Sequence, residues 1–561
     1  MAFNRRRALL GLGIVAASPA LGASAVATQP QGLRFDHGVA SGDPLSDRVI
    51  LWTRISGAQT AVTLSWEVAL AADFAQVVAR GTVATDAGRD YTVKVDAGGL
   101  LPGFDYYYRF RLGDLTSPVG RTRTLPRKAK DVVLAVASCS LHPNGYFNAY
   151  RAMADLERVD AMVHLGDYIY EYGAGLSDYG MGNGRTLGRS PEPPHEIVTL
   201  DDYRTRHSQY KRDADLQAAH ARAAWICVFD DHELCNNPWT SGAENHNPEA
   251  GEGDFMVRKA AALKAYSEWM PIRDPGPGRL PEAIYRSFRF GDVAELIMTE
   301  TRLLARTKQL DYQADLIGAD GVPDFAGMRA KLNDPGRELL GAEQRNWLKA
   351  TLGSSVAAGV SWQVLGNQVV MARTVGPDIA ATLGDSAVAS LMTVLPDGQR
   401  GLLQAMIGLF SRPDPFPWNL DAWDGYPAER ERFYDLIKAT GARVVVTSGD
   451  SHTAWANDLR DAAGTHVAVE LGVTSITSPT RWLDAWLPDL HLAEAMAARN
   501  DEVVAADDGH NGFVRLTLTH DSMVGEWMAV DTITSPDFNT SVRARFEADR
   551  LAAGVSELKQ I

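Results

Sequence analysis

Cysteine is scarce in this sequence: among 561 residues there are three, Cys139, Cys227 and Cys235. An odd, low number argues against a disulfide framework and leaves at least one free thiol. Long apolar runs are scarce as well. Outside the N-terminal leader none approaches the roughly 18 residues of a membrane-crossing helix, so the mature chain is expected to have no transmembrane segment. Positive charge is in deficit, with 55 Lys and Arg against 70 Asp and Glu and a formal net charge of -15. That balance repels nucleic acid and gives an anionic membrane no basic platform, but it is compatible with several bound cations. Internal repeats and low-complexity linkers are also missing. What remains is an ordinary globular composition, 45% hydrophobic and 22% charged, in a chain too long for one ordinary domain.

The opening residues, MAFNRRRALLGLGIVAASPALGASAVATQP, place arginines before an apolar run and then small residues suited to cleavage. This is an export signal and not structure. Arg6 and Arg7 followed by Ala8, Leu9 and Leu10 resemble a twin-arginine signal, with an ordinary secretory signal or an uncleaved anchor as the rival readings. Residues 1–27 are therefore expected to engage twin-arginine export machinery, and the mature protein to be periplasmic or secreted. Loss of Arg5, Arg6 and Arg7 takes the net charge from -15 to -18, that is -15 - 3.

From about residue 35 to 125 short β-rich segments alternate with turns: RVILWTRI, VTLSWEVAL, YTVKVDAG and FDYYYRFRLG. These predict an all-β, fibronectin- or Ig-like sandwich. The spacing of Leu100, Pro102, Gly103, Tyr106 and Tyr108 matches a tyrosine corner. From about residue 130 to 535 strand-like runs alternate with helical patterns such as DFMVRKAAALKAYSEWM and AERERFYDLIKATGA, which predicts an α/β domain. The last segment, residues 536–561, reads as a C-terminal helix.

Four strands end in metal-competent side chains: VVLAVASC at Cys139, MVHLGD at Asp167, WICVFDDHE at Asp230 to Glu233, and VVVTSGDSH at Asp450 and His452. Singly each has a plainer explanation, a turn aspartate, a buried apolar thiol or a helix start. Together they place ligands at equivalent strand ends, where sites form in α/β sheets. Tyr170 follows Asp167 by three residues. A phenol with an ordinary pKa near 10 is a poor ligand for Zn or Mg, whereas ferric iron suits it; a neighbouring set of Asp and Asn oxygens suits a hard ion.

The stretches GVASGDPLSDRVILWTR, VASCS, HLGDYIYEYG, FDDHELCNN, LGAEQRNWL and TSGDSHTAW, in this order, resemble the PhoD-type alkaline phosphatases, relatives of the purple acid phosphatases among the calcineurin-like metallophosphoesterases. The resemblance runs from about residue 35 to 520. It implies a sandwich followed by a four-layer phosphoesterase domain holding Fe3+ and Ca2+, with Mg, Mn or Zn as alternatives for the second ion. Residue by residue it implies iron ligands Cys139, Asp167, Tyr170, Asp450 and His452, with Asp167 bridging. Asp231 and Asn236, or Asn237 in its place, serve the second metal, and His232 is the phosphate-side catalytic imidazole. Phe229 stands where the family commonly has Trp, and IMTETR lacks the aspartate of the family's usual Leu-Asp-Thr-Arg, with Glu300 in that place; both bear on substrate preference.

The implied activity is hydrolysis of small phosphate esters by a metal-bound hydroxide. The alternatives are a phospholipase D-type or polymer phosphodiesterase and, outside the enzymes, a phosphate- or metal-binding cell-surface protein. Cys227 and Cys235 are assigned to packing, while His142, Arg204 and His207 are expected either at phosphate or in solvated or helix-packing roles.

Overall fold

The computed structural model describes residues 32–176, 179–318, 321–481, 483–484 and 486–561. The leader at 1–27 lies outside the described residues. The β-rich segments expected in the first part form strands Arg48–Arg54, Val62–Ala69, Thr92–Gly98 and Asp105–Leu112. Their alternating apolar residues face inward from two sheets, so that Leu64, Val68 and Phe110 meet Val49, Leu51 and Val93 in one buried cluster. The Tyr106 hydroxyl accepts a hydrogen bond from the Leu101 backbone N–H at 2.8 Å, which closes the corner. One of the two sheets does not stop at the change of pattern near residue 126. Strand Val39–Gly42 pairs in parallel with Trp225–Cys227, so the N-terminal strands extend the sheet of the following domain.

That sheet has ten strands, in the order Lys559–Gln560, Thr540–Asp549, Ser522–Val530, Asn511–Leu518, Val132–Ala137, Ala161–His164, Trp225–Cys227, Val39–Gly42, Arg48–Arg54, Thr92–Gly98. A second sheet of seven strands is centred on Ala294–Met298, Trp362–Gly366, Val444–Ser448 and His466–Gly472. Its central strands are buried and largely apolar because both faces are covered. Leu296, Val364 and Val445 point into the cluster shared with Leu134, Val136 and Met162 of the first sheet. Their neighbours Ile297, Leu365 and Val446 point the other way, onto Leu348, Leu352, Phe433 and Ile437 of helices Gly341–Ala357 and Pro427–Thr440. Each such side chain stabilises the fold by about 1.5–3 kcal/mol.

The C-terminal helix expected over 536–561 is not formed. Thr540–Asp549 is a strand pairing antiparallel with Ser522–Val530. The segment carries Phe546 and Ala548, two residues apart and buried, with Arg545 before them and Glu547 between them. This period of two fits the open sheet edge, and pairing there outweighs the helix propensity of Ala, Arg and Glu. Among the described residues no helix is long and apolar enough to cross a membrane.

Candidate metal centre

Strands Val132–Ala137, Ala161–His164 and Trp225–Cys227 are adjacent and parallel, so their carboxyl ends share one edge. Val444–Ser448 brings its own end there from the second sheet. Two glycines make the approach possible. A Cβ on Gly166, whose φ is +114°, would lie 2.4 Å from the Asp230 backbone nitrogen, and one on Gly449 would lie 2.7 Å from Ser138 Oγ. The residues that follow are forced into the left-handed region: Cys139 (φ 62°), Asp167 (56°), Asp450 (62°) and His452 (58°). Each costs on the order of 1 kcal/mol or more for a side chain with a Cβ, and such strain concentrates at functional sites. Glu233 holds the turn, its carboxylate accepting from the backbone N–H groups of Asp167 (3.0 Å), Tyr168 (2.6 Å) and Asp230 (2.9 Å).

Three overlapping groups of buried or half-buried donors result, the ligand atoms within each lying within 4.8 Å of one another: Cys139, Asp167 and His452; Asp167, Asp231 and His232; Asp230, Asp231 and Asp450. Asp167 belongs to the first two, the position of a bridging carboxylate. Tyr170 joins the first, its hydroxyl 3.1 Å from Asp167 Oδ2 and 3.4 Å from His452 Nε2. Ser478 Oγ donates to that hydroxyl at 2.6 Å. His452 Nδ1 donates to the Pro479 carbonyl at 2.9 Å, so Nε2 is the nitrogen that faces Tyr170. Asp450, expected with the iron ligands, stands in the third group beside Asp230 and Asp231.

The donors are unfavourable without a cation. Burial, then the charge of Asp167, raises the Cys139 thiol well above its ordinary range. Burial followed by repulsion from Asp167 and Cys139 does the same to the Tyr170 phenol, and burial with Asp231 raises Asp167. Asp231 Oδ1 is buried without a hydrogen-bond partner. A metal ion reverses each of these penalties by favouring the anionic ligand, so the residues present fit a charged metal centre.

His232 lies on the second group, its ring centroid 4.2 Å from that of Tyr170. Burial opposes its charge, yet Asp231, Glu171 and Asp167 together raise its pKa well above the ordinary imidazole value. The residue that sequence reasoning missed here is Glu171. Fully buried, it accepts from His232 Nδ1 (2.7 Å), the Asn236 N–H (2.9 Å) and Asn245 Nδ2 (2.8 Å), and so fixes which ring nitrogen faces the ligands. An acid inside the aromatic run YIYEYG was the available signal. Both asparagine amides donate to Glu244, Asn236 at 3.1 Å and Asn237 at 2.8 Å, and the Asn237 backbone N–H donates to Asp231 Oδ2 at 2.9 Å.

The residues left open between phosphate contact and packing pack. His207 is buried and stacked on Trp269, His142 lies against Phe147 and Tyr210, and Arg204 pairs with Glu268 at 2.8 Å. Cys227 and Cys235 are buried in the central cluster. Phe229 is buried edge-on against Tyr266, and Glu300 of IMTETR caps its own turn.

Buried thiol, carboxylate and imidazole donors at the meeting edge of two sheets place the chain among the α/β proteins with a candidate metal centre. Comparison with known proteins narrows this. The family profile described as "PhoD-like phosphatase" matches residues 134–527, and "PhoD-like phosphatase, N-terminal domain" matches residues 20–126. The chain belongs to the PhoD-like phosphatases, a family of phosphoric ester hydrolases. It is 34% identical to "Alkaline phosphatase D" of Bacillus subtilis (strain 168), over 99% of this chain and 89% of that one. The solved "Structure of PhoD" superposes with a TM-score of 0.74 at 33% identity, covering 94% of this chain and 92% of the other.

Proposed function

We propose that this protein is an exported phosphatase whose centre combines Fe3+, held by Cys139, Asp167, Tyr170, Asp450 and His452, with Ca2+, or Mg, Mn or Zn, held by Asp167, Asp231 and Asn236. The observation that carries the reading is Asp167, shared by two donor groups at the junction of four strand ends. We further assign residues 35–125 to a fibronectin-like sandwich and 130–535 to a four-layer catalytic domain. Export by the twin-arginine route, to the periplasm or beyond, rests on Arg6 and Arg7 in the leader.

Bound there, the ions neutralise phosphate oxygens and acidify water. The chain's own groups do the rest. Ser478 donates to Tyr170, Tyr170 to Asp167, and His452 to the Pro479 carbonyl, which holds the three in the orientation ligation needs. His232, braced by Glu171, faces the second group with Nε2 and there holds a phosphate oxygen or gives its proton to the leaving oxygen. Replacing His232 by Ala is expected to lower turnover by about 10²–10⁴-fold with iron retained; loss of iron would refute the assignment.

Turnover of p-nitrophenyl phosphate, bis-p-nitrophenyl phosphate and phosphatidylcholine by the purified protein tests the function and separates monoesterase from diesterase and lipase. No turnover of any of them, with metals bound, rejects it. A violet or pink tyrosinate-to-iron band, with iron and calcium near stoichiometric, is the expected signature of Tyr170 on Fe3+; a colourless active enzyme removes iron from the proposal.

A further inference from the structure

A cavity of about 230 Å³ opens where the segment after the N-terminal strands meets the starts of strands Val132–Ala137 and Ala161–His164. Those strands lead from it to Cys139 and Asp167, and at about 3.3 Å per residue they put roughly 20 Å between the cavity and the metal centre. Leu125, Val132 and Phe290 supply its apolar lining. The charged lining is biased to one sign, as is the sequence that supplies most of it: RTRTLPRKAK, residues 121–130, has five cations and no acid in a chain of net charge -15.

Arg123, Lys128, Lys130 and Arg158 line the cavity against Asp131 and Asp160. The arginines occupy both acids. Asp160 accepts from Arg123 Nη1 at 3.1 Å, from Arg158 Nη2 at 2.9 Å and from the Val133 backbone N–H at 2.9 Å, while Arg158 Nη1 donates to Asp131 Oδ1. Among the described residues the Lys128 and Lys130 ammonium groups have no hydrogen bond and no ion pair, so two positive charges are left unmatched. The backbone that carries them is fixed. The Ala129 N–H donates to Asp292, outside the lining, at 3.2 Å, and a Cβ on Gly291 (φ +63°) would lie 2.8 Å from the Ala129 nitrogen.

We propose that this cavity is a second anion site, which takes a phosphate group carrying two negative charges, free or at the end of a larger molecule, on Lys128 and Lys130. Two unmatched ammonium groups balance a dianion, and lysine binds phosphate as a point charge. The volume lies below the roughly 300 Å³ at which sites begin to take drug-sized ligands, which suits a single phosphate group. The acidity of the whole chain turns away extended polyanions at long range, so attraction here is local. The site does not depend on the metal-centre reading, because its residues stand at the opposite ends of the same strands.

Equilibrium dialysis of the full protein against inorganic phosphate, and against phenylphosphonate as a terminal group that is not hydrolysed, tests the site. The wild type is expected to bind one more phosphate per chain than the exposed double variant Lys128→Ala/Lys130→Ala with unchanged circular dichroism, whose affinity at this site falls about 10–100-fold. Equal stoichiometry in the two proteins for both probes overturns the proposal. Phosphate bound without phenylphosphonate assigns the site to free phosphate, and both bound assign it to terminal groups as well. Failure of the metal-centre reading would remove a phosphate from both proteins and leave their difference intact. Crystals soaked in tungstate are expected to show an anomalous peak within the cavity; its absence there, whatever binds at the carboxyl ends of the strands, overturns the proposal.

Discussion

Glu171 shows how one side chain sets the chemistry of another. An imidazole whose Nδ1 is tied to a buried carboxylate at 2.7 Å keeps one orientation and one outward nitrogen. Glu171→Gln keeps the size of the side chain but removes the charge facing His232. Turnover is expected to fall about 10–100-fold, the usual effect of losing an outer-shell partner, with iron content and circular dichroism unchanged. Iron lost in proportion to activity would make Glu171 a support of the metal and not of the imidazole. Glu171 escaped the sequence reading for one reason: a side chain one layer behind the candidate ligands leaves no mark of spacing, because its partners come from other segments.

At the scale of elements, the centre depends on how closely strand ends approach. The four strand-end motifs were legible as sequence because each is local, an apolar run broken by a polar pair. Their crowding was not, since it involves Gly166 against Asp230 and Gly449 against Ser138, residues far apart in the chain. Gly166→Ala would drive a methyl to 2.4 Å from the Asp230 backbone nitrogen at a φ that alanine rarely adopts. A destabilisation of roughly 2–4 kcal/mol, read as a lower urea midpoint together with loss of bound iron, is the expected result; an unchanged midpoint would show that the turn relaxes freely. The C-terminal strand teaches the converse. Arg, Ala and Glu suit a helix locally, and only the unpaired edge of Ser522–Val530 decides for a strand.

For the whole molecule, Lys211 links stability to pH. Buried where strand Arg48–Arg54, helix Leu200–Lys211 and helix Ala214–Arg222 meet, its Nζ lies 4.5 Å above the Trp52 ring and 5.3 Å from that of Tyr168, and 3.1 Å from His220 Nε2. The Cys227 thiol and the imidazoles of His37, His164 and His207 are its other titratable neighbours, and burial lowers the Lys211 pKa from 10.5 to about 7. Below pH 7 both folded and unfolded chains carry the proton, and the fold bears the full penalty of a buried ammonium. Between 7 and 10.5 the unfolded chain binds the extra proton, so stability rises with pH. Urea unfolding is therefore expected to show more stability at pH 9 than at pH 6, by on the order of a few kcal/mol. Lys211→Met should flatten that dependence, and an unaltered slope would place its origin elsewhere.

The sequence by itself determined the strands, the four ligand-bearing ends, the family and the need for a cation, because these follow from local alternation, from turn chemistry and from side chains that cannot be buried as anions alone. Tertiary structure decided the rest: that the N-terminal strands continue the catalytic sheet, that the tail adds a strand, that Asp450 stands with Asp230 and Asp231, and that Glu171 stands behind the candidate ligands. Each of these depends on which distant segments share an edge or a buried face. Such pairings are settled by the packing of the whole chain, where burial and charge compensation outweigh local preference.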